Sequence, residues 1–297
     1  MNKRTLLACF SIVASTTAAC DRSAPPAQDT QGPASSAAAA TKTIRASGSS
    51  ALAPLINAAK ERFEAKDASK SVEVSTGGSK KGLSDVSSGA VEIGASDIEA
   101  LANMSDLVDH KVAVVGFAAM ANKGPWNEDV SAVTKEDLAK IFQGKITNWE
   151  EVGGKSQAIV VINRAPGSGT RAVFGDRVLG GDTFVESQTE DNSGALVAKL
   201  KQTKGAISYL AFSYRDPALL TLALKSDSGV VEATEANVTA GSYPIWSYEH
   251  LFTKGAPTGV TKEFVDYMLS PTFQDEVLST VKGFIPVTKM KSSHVGG

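Results

Sequence analysis

Three short turns rich in glycine and serine are the segments of this sequence best suited to bind an anion. They are Gly48-Ser49-Ser50, Gly77-Gly78-Ser79 and Gly167-Ser168-Gly169-Thr170, and each lies between a predicted strand and a predicted helix. Glycine lets the backbone turn tightly and approach a ligand, while the free N–H groups at a helix N-terminus favour negative charge. One such turn alone is better explained as a helix N-cap. Three of them together predict an anion site.

Two charged residues near these turns indicate which anion would bind. Arg164 directly precedes the third turn, and its guanidinium can hold an oxyanion with two hydrogen bonds. Asp97 follows the predicted strand 91–95, and its carboxylate would repel a fully ionised anion but accept a hydrogen bond from an anion that carries a proton. Phosphate carries such a proton near neutral pH and sulfate does not. Asp97 therefore predicts selection of phosphate over sulfate, unless it only caps a following helix.

The elements that must position these residues alternate between strand and helix, which predicts an α/β fold. At 297 residues, a chain usually divides into two units that each bury their own core. We therefore expect two lobes with the ligand cleft between them, each lobe a mostly parallel sheet flanked by helices. The main predicted elements are strands 43–46, 72–75, 91–95, 159–163, 206–212 and 244–253, helices 52–66, 135–142, 171–179 and 195–201, and a long amphipathic helix 260–281.

The N-terminus has the pattern of an export signal. Lys3 and Arg4 precede an apolar run at 6–14 and then small residues up to Cys20, which predicts a signal peptide at 1–19. The sequence Thr17-Ala18-Ala19-Cys20 resembles a bacterial lipobox with threonine in place of the usual leucine. We expect a lipid on Cys20 and an extracytoplasmic, membrane-anchored protein in the periplasm or at the cell surface. The alternative is ordinary cleavage that leaves the protein without a lipid.

The remaining boundaries follow from composition and from the order of elements. Residues 20–42 are rich in proline, glycine and alanine and predict a flexible tether. Lobe one is predicted to comprise 43–120 plus 248–297, and lobe two 121–247.

Several classes of function are disfavoured. A net charge of −2 gives no basic field for nucleic acid. The sequence lacks the common hydrolase, P-loop and zinc-protease motifs, its three histidines are scattered, and its two cysteines are Cys9 and Cys20. We therefore expect no enzymatic activity, no cofactor and no metal site, with a phosphatase as the least favoured alternative.

Five segments together resemble the phosphate-binding proteins of bacterial Pst-type ABC transporters, which have the type II periplasmic-binding-protein fold. The resemblance covers essentially all of residues 43–297. The segments are Gly48-Ser49-Ser50-Ala51-Leu52-Ala53-Pro54, Gly77-Gly78-Ser79, Ile93-Gly94-Ala95-Ser96-Asp97, Gly144-Lys145-Ile146-Thr147-Asn148-Trp149 and Arg164-Ala165-Pro166-Gly167-Ser168-Gly169-Thr170-Arg171.

The resemblance implies a set of ligand contacts. Asp97 would accept the phosphate proton, and the other implied contacts are the hydroxyls of Ser50 and Ser79, the residues Arg164, Ser168, Gly169 and Thr170 from lobe two, and the backbone N–H groups of Ala51, Leu52 and Gly169. The roles of Ser49 and Arg171 stay open, with a structural role favoured for Arg171. Family members often have an acidic residue where this chain has Pro166, so an ion pair that orients Arg164 is absent or is supplied elsewhere.

The resemblance also implies partners. It predicts a monomer that delivers phosphate to the permease subunits of an ABC importer and is attached to the membrane through a lipid on Cys20. The alternatives are a binding protein for another oxyanion, such as sulfate or molybdate, and a phosphate scavenger or sensor that is not coupled to transport.

Overall fold

The structure, a computed structural model, describes residues 42–181 and 183–290. The predicted signal peptide, the lipidation site Cys20 and all of the predicted tether except its last residue lie outside the described residues. Within the described ranges, no helix combines the length and the apolar character needed to cross a membrane.

Thirteen strands are present in the described residues. In chain order they are β1 (Lys42–Gly48), β2 (Lys70–Thr76), β3 (Ile93–Ser96), β4 (Leu107–Asn122), β5 (Ala132–Thr134), β6 (Val160–Arg164), β7 (Gln188–Glu190), β8 (Ala206–Ala211), β9 (Leu219–Thr221), β10 (Ala223–Ser226), β11 (Gly229–Val231), β12 (Trp246–Lys254) and β13 (Phe284–Ile285).

The same ranges contain seven α-helices. They are α1 (Ala53–Lys66), α2 (Ser79–Ser88), α3 (Lys135–Phe142), α4 (Gly169–Phe174), α5 (Ser193–Gln202), α6 (Glu235–Ala240) and α7 (Gly259–Leu269). Alternation of strands and helices over most of the chain confirms the predicted α/β class. The predicted helix 171–179 begins two residues earlier, as α4, and its second half, Gly175–Leu179, is a π-helical turn.

Most strands belong to one sheet with the order β2-β1-β3-β12-β4-β8-β6-β7, and β9 and β13 also pair with β4. The expectation of mostly parallel pairing is wrong for the middle of this sheet. Parallel pairs occur towards both ends, where β1 pairs with β2 and β3 and where β6 pairs with β7 and β8. The central strand β4 is antiparallel to each of its partners β8, β9, β12 and β13. Strand β12 comes late in the chain and lies between β3 and β4, antiparallel to both.

Strand β4 is the longest in the described chain and is buried along ten successive residues, 112–121. A strand that is buried on both faces reads as a continuous apolar run rather than an alternating one. The first half of β4 pairs with β12, and the second half pairs with β8 and β9. The boundaries predicted for the two lobes stay a prediction.

Aromatic packing supports the elements around the third turn. The ring of Phe174 in α4 stacks on that of Tyr209 in β8, with centroids 4.5 Å apart, and Phe142 from α3 meets both rings edge-on. The hydroxyl of Tyr209 accepts a hydrogen bond of 3.3 Å from the backbone N–H of Arg164. Trp149 is fully buried and its indole N–H donates to the Gly205 carbonyl at 3.1 Å, so it has a structural role.

The predicted continuous helix over 260–281 is wrong. Helix α7 ends at Leu269, Ser270 has an extended backbone, and the chain continues through a π-helical turn (Phe273–Val277) and a short 3₁₀ turn (Leu278–Thr280). Pro271 explains the break because a proline disfavours the helical conformation of the residue before it. The apolar face of α7 still packs on α1, where the rings of Phe264 and Phe63 meet edge-on at 5.2 Å.

Candidate functional site

The first turn is held against the end of β3. Gly48 has φ +132°, and a Cβ at this position would lie 2.1 Å from the carbonyl oxygen of Ala95. The N–H of Ser49 donates to that same carbonyl at 2.9 Å. Only glycine combines this backbone conformation with such a close approach. The turn therefore delivers Ser49 and Ser50 next to Asp97, which follows β3.

Ser49 links this turn to the Asp97 carboxylate. Its hydroxyl donates to Oδ1 of Asp97 and accepts the backbone N–H groups of Ala51 at 3.0 Å and Leu52 at 3.2 Å. The role left open for Ser49 is thus a supporting one in the structure. Two of the three N–H groups that the family resemblance implied as ligand contacts, those of Ala51 and Leu52, therefore point at the Ser49 hydroxyl.

The second and third turns meet at the same place. A Cβ on Gly169 would lie 2.1 Å from the hydroxyl oxygen of Ser79 and 2.9 Å from the Cβ of Asp97. The N–H of Lys80 donates to the carbonyl of Gly167 at 3.1 Å. The hydroxyl of Ser79 also accepts the backbone N–H of Asp97 at 2.9 Å. Three segments far apart in sequence therefore converge around Asp97.

Asp97 is only 1% exposed. Besides the Ser49 hydroxyl, its carboxylate accepts the hydroxyl of Thr170, which donates to Oδ2 at 2.8 Å. Burial raises the pKa of Asp97, and the hydrogen bonds from Ser49 and Thr170 and the positive charge of Arg164 only partly offset this effect. The alternative that Asp97 caps a helix is wrong, because residues 97–106 form no helix.

Arg164 is equally buried, at 1% exposed. Its guanidinium donates to the backbone carbonyls of Glu190 at 3.3 Å and Asp191 at 3.2 Å. It also donates to the hydroxyls of Ser193 at 3.2 Å and Ser50 at 3.1 Å. Burial lowers the pKa of Arg164 and the nearby Asp97 charge opposes that shift, but an arginine stays protonated in proteins.

The contacts of Arg164 answer the question raised by Pro166. Carbonyl oxygens at the end of β7 fix the guanidinium plane, so no acidic side chain at position 166 is needed to orient it. A carbonyl contributes no full negative charge. The positive charge of Arg164 is therefore compensated less than it would be in an ion pair.

Ser193 is a site residue that the sequence reasoning missed. It is fully buried at the start of α5, its N–H donates to the Ser50 hydroxyl at 3.2 Å, and the two hydroxyl oxygens are 3.1 Å apart. Asn192 caps this helix by accepting the N–H of Ala195. The signal was available, because Asn192-Ser193-Gly194 is a fourth polar, glycine-containing turn before a predicted helix.

Ser168 and Arg171 have structural contacts. The Ser168 hydroxyl caps α4 by accepting the N–H of Arg171 at 3.2 Å. The Arg171 guanidinium donates to the carbonyl of Arg164 at 3.0 Å and lies over the ring of Phe184 at 4.3 Å. These contacts agree with the structural role favoured for Arg171, which supports the backbone of the clamping arginine.

The chemistry of the assembled site is that of an anion receptor with one acceptor. One guanidinium and several hydroxyls supply donors, and one buried carboxylate supplies the acceptor. Side chains from four turns, each ahead of a helix, contribute to it. Such a set matches a tetrahedral oxyanion that carries at least one hydrogen.

Comparison with known proteins assigns the family. The family model for the PBP superfamily domain matches residues 33–272. The chain is 44% identical to the phosphate-binding protein PstS of Bacillus subtilis (strain 168) over 290 residues, which is 96% of this chain and 93% of that protein. The chain belongs to the PstS family of phosphate-binding proteins. The PstS of Staphylococcus saprophyticus is 28% identical over 76% of this chain and 74% of its own length.

Solved structures agree with this assignment. A Clostridium perfringens protein assigned to phosphate ABC transport as a substrate-binding protein, crystallised with bound phosphate, superimposes with a TM-score of 0.76 at 30% identity. The match covers 83% of this chain and all of that one. An ABC-type phosphate transport receptor from Vibrio cholerae has the same fold, with a TM-score of 0.64 at 22% identity over 82% of this chain and 99% of the other. The type II periplasmic-binding-protein fold expected from the sequence is confirmed.

Proposed function

We propose that this protein binds inorganic phosphate between Asp97 and Arg164 and delivers it to an ABC-type importer. The family relationship supports this function, and one observation in the chain carries it. A buried carboxylate lies within an anion site whose other groups are donors. An anion without a hydrogen would leave that acceptor facing negative charge, whereas phosphate donates to it.

The contacts divide into two groups. On one side, the Arg164 guanidinium and the hydroxyls of Ser50 and Ser193 form a connected set of donors. On the other side, Asp97 accepts the phosphate hydrogen, and the Ser79 hydroxyl, whose oxygen already accepts the Asp97 N–H, has its own hydrogen to donate. The N–H of Gly169 completes this second group, and Thr170 belongs to it through its hydroxyl, which holds the Asp97 carboxylate.

Two residues implied by the family resemblance have weaker support, because the N–H groups of Ala51 and Leu52 already donate to Ser49. The Ser168 hydroxyl oxygen accepts an N–H as the cap of α4 and, like that of Ser79, has its own hydrogen to donate. In our proposal Ala51 and Leu52 shape the backbone around the anion, and Arg164 and Asp97 carry the recognition.

The protein binds phosphate without transforming it. The support is that the relatives the chain matches are named as phosphate-binding and substrate-binding proteins. The protein acts outside the cytoplasm as a monomer that meets membrane permease subunits, with a lipid on Cys20 as its anchor. Its cleft lies between a lobe of residues 43–120 plus 248–297 and a lobe of residues 121–247.

Calorimetric titration of the purified protein, freed of bound anion, tests the proposal. We expect phosphate to bind with a Kd of about 1 μM or tighter, equivalent to roughly 8 kcal/mol, and sulfate to give no heat of binding. Binding of sulfate or molybdate in preference to phosphate would assign the site to another oxyanion. Release of phosphate from phosphate esters by the purified protein would contradict a pure binding role.

A further inference from the structure

Glu249 is a buried carboxyl group that the proposed phosphate contacts do not use. It lies in β12 with 0% of its surface exposed, and neither of its carboxyl oxygens receives a hydrogen bond from any donor in the described ranges. An ionised carboxylate without donors is strongly disfavoured in a protein interior. The location of Glu249 therefore favours its protonated form.

Strand pairing brings Glu249 to Asp97. Strand β12 runs antiparallel to β3 with Leu251 opposite Ala95 and His250 opposite Ser96, and Glu249 and Asp97 are the next residues beyond this last pair, with side chains close enough to interact. The neighbouring Ser247 also donates its hydroxyl to the carbonyl of Asp97 at 2.7 Å. Residues directly opposite on antiparallel strands have Cβ atoms about 5 Å apart. The two carboxyl groups are therefore close neighbours in the interior.

The charges around this pair come from few residues. On the β4 side, the residue opposite Glu249 is Ala113, which carries no charge. Lys111 is opposite the next residue, His250, and the His250 ring is hydrogen-bonded to Asp109. Among the described residues, the charge that acts on Glu249 is that of Asp97. Burial first, and then this charge, raise the pKa of Glu249 well above its usual range.

One positive charge acts on Asp97: that of Arg164, which favours the ionised form of Asp97. The nearby Tyr214 hydroxyl donates to the carbonyl of Ser50 at 2.9 Å, and burial raises its pKa. The negative charge of the carboxyl pair is therefore favoured on Asp97, and the proton on Glu249.

The Asp97 carboxylate can accept a hydrogen bond from Glu249 and another from a ligand at the same time. A carboxylate offers about four acceptor positions, and Ser49 and Thr170 occupy one on each oxygen. Two positions remain. One suits a hydrogen bond from a protonated Glu249, and the other suits the hydrogen of the bound anion.

We propose that Glu249 is a specificity-determining residue of the anion site, whose protonated carboxyl donates a hydrogen bond to Asp97 and keeps Asp97 ionised as the acceptor for a hydrogen-bearing oxyanion. The inference rests on the proposed phosphate-binding function. Without this donor, burial shifts Asp97 towards its protonated form. A protonated Asp97 can donate a hydrogen bond to sulfate, so sulfate would then bind. When Glu249 ionises at high pH, a second negative charge lies close to the anion and weakens its binding.

Two substitutions separate the donor from the charge. In Glu249→Gln the amide N–H₂ still donates to Asp97 but cannot ionise, whereas in Glu249→Met a side chain of similar length has no donor. The exposed Glu128→Gln serves as a control for loss of a carboxylate away from the site. Phosphate and sulfate titrations are carried out on each protein between about pH 5 and 9, a range that covers raised carboxyl pKa values.

We expect Glu249→Met to bind phosphate about 10-fold or more weakly, as for loss of a hydrogen bond to a charged group, and to gain measurable sulfate binding. We expect Glu249→Gln to lose much less phosphate affinity and to bind no sulfate. Its phosphate affinity should not fall at high pH as that of the wild type does. Glu128→Gln should match the wild type throughout.

The proposal is overturned if Glu249→Met keeps the wild-type preference for phosphate over sulfate and the wild-type pH profile. Because a substitution at a buried position can also destabilise the fold, infrared spectra of the wild type give an independent readout. A protonated carboxyl band near neutral pH that responds to phosphate supports the proposal, and its absence contradicts it. If the wild type binds no phosphate, the proposed function fails as well; if it binds phosphate and the Glu249 variants behave like Glu128→Gln, only the inference on Glu249 fails.

Discussion

The contact between Gly169 and the residues opposite it is the part of the site most open to a quantitative test. In Gly169→Ala the added methyl would lie 2.1 Å from the Ser79 hydroxyl oxygen, 2.8 Å from the Ser79 Cβ and 2.9 Å from the Asp97 Cβ. Rotation of the serine side chain removes only the first of these conflicts. The other two involve atoms fixed to the backbone, so the segment that carries Gly169 must move away from Ser79 and Asp97.

The expected size of the effect follows from overpacking. Extra methyl groups in tightly packed interiors cost about 1–3 kcal/mol, which raises the Kd for phosphate about 5- to 150-fold because each 1.4 kcal/mol is a factor of ten. The movement also strains the hydrogen bond from Thr170 to Asp97. Folding of the ligand-free protein should suffer less, because the clash is relieved once the segments separate and alanine is the better helix former.

Calorimetry with phosphate measures the change, and Gly194→Ala is the matched control. Gly194 also lies in the first turn of a helix beside a site residue, but a Cβ there would meet only the Asn192 side-chain oxygen at 3.5 Å, an ordinary contact. We expect this control to bind phosphate like the wild type. If Gly169→Ala also binds like the wild type, the two segments do not meet around the bound anion and the geometry of the site is wrong.

The remaining predictions concern single charged groups. Asp97→Asn should weaken phosphate binding and admit sulfate in competition titrations, since the amide can donate to an anion that has no hydrogen; an unchanged preference would refute the acceptor role. Arg164→Ala should raise the Kd for phosphate about 30-fold or more, as for truncation of a buried charged partner, whereas Arg171→Ala should raise it about 10-fold at most, as for loss of one supporting hydrogen bond; equal losses in calorimetry would mean that the clamp is misassigned. The pKa of Glu249 is raised in the folded protein, so above about pH 4.3 its carboxyl group binds more protons in the folded state than in the unfolded state. The free energy of unfolding therefore falls as the pH rises. The fall is at most about 1.4 kcal/mol per pH unit and ends once the pH passes the folded-state pKa. Glu249→Gln removes this contribution, so urea unfolding without phosphate at about pH 5 and pH 8 should show a flatter pH dependence than in the wild type, and parallel curves for the two proteins would contradict the raised pKa.

Local sequence patterns were sufficient for the elements and for most of the site. Helix α3 has the bounds predicted from its periodicity, and most other predicted elements are shifted only by a few residues at their ends. The glycine-containing turns were recognised because three of them occupy the same kind of position, between a predicted strand and a predicted helix. Arg164 and Asp97 were found because a charged residue beside such a turn is chemically conspicuous.

Local sequence patterns did not predict which strands pair over long distances along the chain. The antiparallel placement of β4 depends on which strands meet, and a continuous apolar run does not encode the direction of its neighbours. The break after α7 was signalled by Pro271, yet the amphipathic pattern continues on both sides of it and suggested a single helix.

The residue types and the turns were determined by the sequence itself: an arginine, an aspartate and several hydroxyls, each set where a strand passes into a helix or ends. The tertiary structure decided which of these groups point at one another. In the folded protein the backbone carbonyls of Glu190 and Asp191 orient Arg164. Every residue has a backbone carbonyl, so the sequence does not show which of them a side chain contacts. The tertiary structure also placed Glu249 against Asp97 through the register of two strands some 150 residues apart along the chain, and proximity of this kind is decided by strand pairing and burial rather than by any local pattern.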